Sequence, residues 1–389
     1  MSVTAPTALG RRDATIALGV GVTALLIAGL QPVILGGLER EGRLTSSQIG
    51  LTATVELLAL GLACGLAAAF LKPDRVRLKM AAVCLAHAAA MLATTWTSGV
   101  GVIAVRGLAG VFAGLMLWMA ISMISRAGRP ERASGVFVVV QTVAQLILAA
   151  ALPATVVPQF GINGALVVLA GISVLTAVAA ALGPDRFAPL AKPEGGHAKL
   201  GVRPMAGLFA AFLFLAFIVA LWVYLEPLAA LSGLTPQQAG LAVAVALGMQ
   251  VLGGAAATVV GRRWRPEAVL IAVGAANAAI LAVFLSGPGS VGFMGAVALF
   301  GFLWLFALPF LTLLLIQADP TRRAAMQLGT AQLLGSSFGP LAASMVVGDG
   351  DVRRAVALSA VLLLAAVTLL SLLAASRRSP VPPVGDSRG

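Results

Sequence analysis

Leu44-Thr45-Ser46-Ser47-Gln48-Ile49-Gly50 reappears, 190 positions later, as Leu234-Thr235-Pro236-Gln237-Gln238-Ala239-Gly240. Leu, Thr, Gln and Gly are identical at the matching places. The offset then holds downstream. His87, polar in the apolar run VCLAHAAA, falls on Asn277 in VGAANAAI, and Arg132 falls on Arg322. Upstream it drifts by a few residues, where Gln31-Pro32 is echoed by Glu226-Pro227. Apolar helices match one another by chance, but rare polar residues at a constant offset do so less readily. With 389 residues, the chain is close to twice the period. It reads as one duplicated half.

Both halves read as membrane-embedded. Mean hydropathy is +1.02. Only 10% of residues are charged, against about 25% in soluble domains. The charges sit in short connectors between apolar stretches long enough to cross a hydrocarbon core as helix. Twelve spans are expected, near 14–38, 48–70, 78–97, 99–125, 133–157, 163–183, 205–231, 237–260, 267–286, 290–317, 323–347 and 353–375. Spans 3 and 4 are separated only by TSGVG and spans 9 and 10 only by SGPGS, so a ten-span count is the rival. The polar–apolar alternation of a membrane β-barrel is missing.

The net charge of +12 is a topology signal. Of the 26 Lys and Arg, 21 fall on alternate connectors and the two tails, on one side; Arg40, Arg43, Arg353 and Arg354 fall on the other, and Arg106 lies within a span. This is the positive-inside pattern, with both termini cytoplasmic. A nucleic-acid partner is not needed to explain it. The first apolar run is too long for a signal-peptide core and reads as a retained span. Cys64 and Cys84, inside apolar spans, read as small hydrophobes. The expected organisation is a six-helix bundle over 1–183, a flexible cytoplasmic linker rich in Pro, Gly and charge over 184–204, a second bundle over 205–375 and a disordered tail over 376–389. Thr45 or Ser46, and Thr235, are the candidate caps of the duplicated helix start, and Pro236 suits a first turn.

Six plus six spans, a basic central loop and cytoplasmic termini resemble the major facilitator superfamily over roughly residues 14–375. Arg106-Gly107-Leu108-Ala109-Gly110 resembles the family's R-x-x-Q-G motif, with Ala109 for Gln. The loop from Phe70 to Lys79 resembles G-x-L-a-D-R-x-G-R-K through Asp74, Arg75 and Lys79, but lacks the glycines. Gly335-Ser336-Ser337-Phe338-Gly339-Pro340 resembles an antiporter motif that the antiporters carry in span 5; here it lies in span 11. The resemblance implies an all-α membrane protein of twelve helices in two pseudo-symmetric bundles, monomeric by family default.

Ionisable residues inside a bilayer are costly and face a cavity or a partner. By helical rise Glu56 lies about 12 Å along span 2, and Arg106 about 10 Å and Glu226 about 7 Å from the outer ends of spans 4 and 7. Glu56 and Glu226 are candidate proton carriers. Glu56 and Arg106, at similar depth, are a candidate ion pair, either functional or structural. His87 and Asn277 read more simply as a helix contact shared by both halves. Gln31-Pro32 and Glu226-Pro227 should kink spans 1 and 7. Gln31, Trp222, Tyr224, Gln141, Gln145 and Gln332 are further cavity candidates, with interfacial anchoring and helix packing as the alternatives. Gly61-x-x-x-Gly65, Gly110-x-x-x-Gly114 and Gly335-x-x-x-Gly339 permit close helix approach. Asp74, Arg75 and Lys79, with Arg262 and Arg263, form a candidate cytoplasmic gate.

The chain lacks HExxH and Walker motifs, and Gly335 to Gly339, though it fits G-x-S-x-G, lies in an apolar helix rather than a strand-to-helix elbow. No enzyme activity, cofactor or metal is expected. The expected function is secondary transport of a small amphipathic organic solute across the inner or plasma membrane by alternating access, coupled to protons and leaning to efflux. Uptake of an organic acid, aromatic acids included, is one alternative. A sensor or scaffold that moves no solute is another.

Overall fold

The computed structural model describes residues 10–187, 200–260, 264–319, 321–348 and 350–376. These form α1 (Arg11–Arg40), α2 (Ser46–Phe70), α3 (Val76–Thr94), α4 (Val100–Ile124), α5 (Pro130–Ala151), one π turn (Leu152–Val156) and α6 (Val157–Ala181). After the linker come α7 (Val202–Trp222), α8 (Leu225–Leu231), α9 (Pro236–Val260), α10 (Pro266–Leu285), α11 (Ser290–Ala318), α12 (Arg323–Val347) and α13 (Arg353–Ala375). Span 7 is split into α7 and α8, so later labels run one ahead of the span count.

The twelve-span count holds over the ten-span rival. Ten stretches of described residues are long and apolar enough to cross a bilayer. One of them, 132–181, contains two helices joined at Gly161, whose φ of 62° no side chain adopts readily. The twelfth span is α12, 25 residues long like α2 but richer in polar residues. The connectors that prompted the rival count are short because Gly99 and Gly287 reverse the chain at φ 53° and 69°.

The duplicated entry signal is a duplicated capping box. Thr45 Oγ1 accepts from the Gln48 N–H at 3.3 Å, and the Gln48 side chain accepts from the Thr45 N–H at 3.0 Å. Thr235 and Gln238 repeat both bonds at 3.3 and 2.9 Å. Each pair satisfies two donors that a helix start leaves orphaned. Thr45 is thus the cap; Ser46 donates to Glu39 instead. The two expected kinks come out differently. Span 7 breaks at Val223–Tyr224, whereas α1 runs as one helix through Pro32.

α1 to α6 form one bundle and α7 to α13 the other. Glycines set the closest packing. A Cβ on Gly110 or Gly114 would strike the Glu56 or Leu60 carbonyl, so α4 lies backbone to backbone on α2. Gly301 meets the Ala246 carbonyl in the same way, and Gly335 and Gly339 meet Phe212 and Ala216. Gly61 instead faces Leu333 of the other bundle, and Gly65 faces open space, so that pair does not work as a close-packing motif.

The bundles meet along α2 with α12 and α5 with α9. We call the end where α1 begins and α13 finishes the basic end, and its opposite the far end. Contacts run from the far end inward. Gly50 sits on the Pro340 carbonyl, Thr54 Oγ1 donates to the Ser337 carbonyl at 2.9 Å, and Gly61 meets Leu333. One turn nearer the basic end, at Gly65, the space is open. On the other seam Gly240 packs on Pro153 and the Ala149 carbonyl, and Gly248 on Leu146. The glycine that closes each repeat of the opening motif is therefore a point where the two bundles touch.

The linker is not loose from its start. Asp185 accepts the Val76 N–H at 2.8 Å, Phe187 donates to the Pro73 carbonyl at 3.0 Å, and Arg77 pairs with Asp185 at 3.1 Å. Phe187 is buried edge-on to Trp118 with the Arg126 guanidinium over its ring. Residues 184–187 thus belong to the first bundle's basic end, contrary to the expectation of a flexible segment from 184 onward.

Candidate functional site

Glu56 and Arg106 do meet. Gly107 and Gly110 bring α4 onto α2, and Arg106 Nη2 reaches Glu56 Oε1 with both side chains enclosed. Arg106 Nη1 points to Met91 Sδ at 3.0 Å. Glu56 Oε2, Arg106 Nε and both amide atoms of Gln31 have no partner at bonding geometry, although Gln31 of α1 lies against Glu56. Close by on α3, His87 Nδ1 bonds Ser173 Oγ of α6 at 2.9 Å. These groups form one polar cluster within the first bundle. Its repeat positions in the second, Ala246 and Ala296, are apolar and buried. Among the described residues, Asn277 donates to Val273 of its own helix, at 2.9 Å. His87 is therefore a helix–helix contact that its counterpart does not reproduce.

A second group ties the bundles together at the far end. Pro32 has no N–H, so the carbonyl one turn earlier, Ala28, lacks its helical donor. Trp222 of α7 supplies it through Nε1 at 3.0 Å. The Trp222 ring stands edge-on to Trp304, 5.5 Å away. Tyr224, at the α7–α8 break, points its hydroxyl at Gly50. Glu226 pairs with Arg40 of α1, and a Cβ at Gly36 would collide with that carboxylate, so the glycine makes its seat. Within the first bundle, Gln145 of α5 donates to the Leu25 carbonyl of α1 at 2.6 Å and fills the space beside Gly29.

A separate, open space lies within the second bundle. A cavity of about 600 Å³ opens between the basic-end halves of α11 and α12, lined by Leu308, Pro309, Thr312, Leu328 and Gln332. Of the residues expected to line a cavity, Gln332 does. Gln31, Trp222, Tyr224 and Gln145 are enclosed in packing, and Gln141 is half-buried on α5. Thr312 and Pro309 escaped the sequence reading. A proline inside an apolar run, the signal used at Pro32 and Pro227, would have found Pro309.

The model of the Major Facilitator Superfamily matches residues 16–343. The chain belongs to the major facilitator superfamily. Solved structures agree on the fold. A mutant of the nucleoside transporter NupG superposes with a TM-score of 0.76 at 12% identity, covering 93% of this chain and 100% of that one. A bacterial homologue of the human lysosomal transporter Spinster, in an inward-facing and unoccupied conformation, gives 0.64 at 15% identity, covering 95% and 98%. No curated protein matches the chain. As a superfamily member it is a multi-pass membrane protein and a secondary transporter, not an enzyme.

Within this superfamily member the motif-like stretches acquire physical roles. Arg106-x-x-x-Gly110 couples an ion pair to a backbone contact: Gly110 rests on the carbonyl of the residue that Arg106 pairs with. In the α2–α3 loop, Asp74 pairs with Lys79 at 2.6 Å, and that bond holds its carboxyl below the usual range. Lys79 also donates to the Lys72 carbonyl at 3.0 Å. Arg75 takes a left-handed turn, φ 46°, to start α3. Arg262 and Arg263, the expected counterparts, lie outside the described residues.

Proposed function

We propose that this transporter moves a small amphipathic organic solute by alternating access, coupled to protons, in the direction of efflux. The observation that carries the solute class is the cavity between α11 and α12. Four of its five lining residues offer mainly hydrocarbon, with Gln332 and the Thr312 hydroxyl as the polar points. Such a lining suits a ligand held by shape and apolar surface and oriented by one or two hydrogen bonds. A sugar would ask for more polar groups. The acid-uptake reading has less support, because Arg106, the cation nominated for an anion, is already paired with Glu56 and enclosed.

In this reading the basic end is cytoplasmic, following the Lys and Arg bias, and the membrane is the inner or plasma membrane. The two bundles of the expected 1–183 and 205–375 division rock about their shared seams as units, with residues 184–187 moving with the first and α7 extending the second back to Val202. Glu56 and Glu226 are the proton carriers. Purified protein in proteoliposomes, tested for counterflow and pH change against amphipathic cations, neutral aromatics and organic acids, decides it. The expected result is exchange of an amphipathic solute with proton movement, weakened several-fold in apparent affinity by Gln332→Leu. Counterflow restricted to organic acids, or absent for every solute while the protein stays folded, overturns the reading.

A further inference from the structure

We infer that the solute held between α11 and α12 is an uncharged molecule whose polar end is an N–H group, and that the backbone carbonyl of Leu305 is its acceptor. The inference rests on the reading of this cavity as the solute site. Three prolines lie inside α-helices of the described residues: Pro32 in α1, Pro309 in α11 and Pro340 in α12. Each removes the N–H that would bond the carbonyl one turn earlier. Two of these breaks are met by a side chain from the other bundle. Trp222 donates to the Ala28 carbonyl behind Pro32. Thr54 donates to the Ser337 carbonyl, beside the one that Pro340 vacates. Pro153, in the π turn, is covered by Gly240, which lies on the Ala149 carbonyl. At Pro309 the vacated acceptor is Leu305. The neighbouring side-chain bond runs from Thr312 Oγ1 to the Leu308 carbonyl at 3.3 Å, and among the described residues none reaches Leu305. Of the three prolines, Pro309 is the one on the cavity wall.

A helical carbonyl points along the axis at the nitrogen one turn on. The Leu305 oxygen therefore lies against the Pro309 ring, and Pro309 and Leu308 both line the cavity. The other polar groups of the wall lean the same way. The Thr312 hydroxyl proton is directed to Leu308, which leaves its oxygen to accept. Gln332 brings one carbonyl and one amide N–H. Acceptors thus outnumber donors, and a matching solute must donate. None of the five lining residues is ionisable. An ammonium group would lose its water there without a counter-charge, and a carboxylate would face carbonyl oxygens. An amide, an aromatic amine or a ring N–H has a proton to give and no charge to desolvate. Its hydrocarbon body fits against Leu308, Pro309 and Leu328. Such a solute does at Leu305 what the Trp222 indole does at Ala28.

Indole and benzofuran are suitable probes. The two rings have nearly one shape, and benzofuran has an oxygen where indole has its N–H. Ligand-observed NMR titration of the purified protein in detergent reads both affinities, with protein-free micelles correcting for partition. Indole is expected to bind roughly five- to tenfold more tightly, the usual net worth of one hydrogen bond. Pro309→Ala gives residue 309 an N–H that closes on Leu305. Indole should then fall to the level of benzofuran, whose own affinity changes little, and Pro309→Gly should act alike. Both changes add a helical bond and relieve a proline, so folding is not put at risk. Protonated tryptamine should bind no more tightly than indole. The inference is overturned if indole does not bind, if benzofuran matches it in the wild type, if the indole preference survives both Pro309 variants, or if tryptamine binds more tightly. Because the readout is equilibrium binding, an absence of counterflow would remove the transport reading and leave the indole preference in place.

Discussion

The Glu56–Arg106 pair has consequences at the scale of single residues. Removing one partner strands the other charge in an enclosed site, which costs about 3–5 kcal/mol. Arg106→Ala is therefore expected to lower thermal stability in detergent sharply as well as to stop transport. Glu56→Gln combined with Arg106→Gln should recover much of the stability, because two neutral amides replace two charges. Stability that is equally poor in the double variant would mean that the pair's shape, not its charge balance, holds the bundle. This pairing was legible in the sequence because equal depth in neighbouring spans brings two ionisable side chains to one level. The partner of Glu226 was not, since Arg40 is 186 positions away and pairs across the bundle seam rather than along the repeat.

Single helices pose a cleaner test, because the small-residue motifs look alike on paper. Gly110 abuts a carbonyl and Gly65 abuts nothing. Gly110→Ala should destabilise the protein and push α4 off α2. Gly65→Ala should be neutral or stabilise by up to about 1 kcal/mol through helix propensity. Thermal unfolding of the two variants side by side checks this, and equal effects would refute the packing role of Gly110. Asp319 supplies a pH-dependent case. It accepts from the Thr321 hydroxyl at 2.6 Å and from the Ala324 N–H at 2.9 Å at the start of α12, bonds that hold its carboxyl below the ordinary range. A lowered folded value stabilises above the unfolded value and is lost as pH falls through it. Asp319→Ala should therefore unfold at a lower temperature than the wild type at neutral pH, and the gap should close in acid. The short glycine reversals at Gly99 and Gly287 were ambiguous in sequence because φ is not written in residue identity.

At the scale of the molecule, the duplicated motif and its closing glycines decide where the halves touch. Gly50→Leu should prop the far end apart by lodging a side chain against Pro340. Labelling of a Ser344→Cys thiol by a water-soluble reagent should then speed up, and Gly240→Leu should produce a similar opening through the other seam. Unchanged labelling in the Gly50 variant would show that this contact does not control the far end. Fold and span count were readable from hydropathy, charge bias and repeat, all of which are local or periodic signals. The cavity was not, apart from Gln332. Its wall joins α11 to α12 through Leu308, Pro309, Thr312 and Leu328, ordinary residues for an apolar span. Nothing in their identity separates a wall from a lipid-facing surface. The enclosure of Trp222 and Gln145 was hidden for a related reason: each answers a backbone carbonyl of α1, and carbonyls do not appear in a sequence.

The ion pair inside the first bundle also bears on how the chain is made. Glu56 leaves the ribosome 50 residues ahead of Arg106. Until α4 arrives, α2 must enter lipid carrying a lone acid, at a cost of about 2.5–3.5 kcal/mol if it is charged near the helix centre. The cost is avoided if α2 waits beside the insertion machinery and enters together with α4. Chains truncated after α3 should insert α2 less completely than chains truncated after α4, and Glu56→Gln should erase the difference. Biogenesis of the first bundle would then depend on an order of release for α2 and α4 that their repeat counterparts in the second bundle, with Ala246 and Ala296 in those places, do not require.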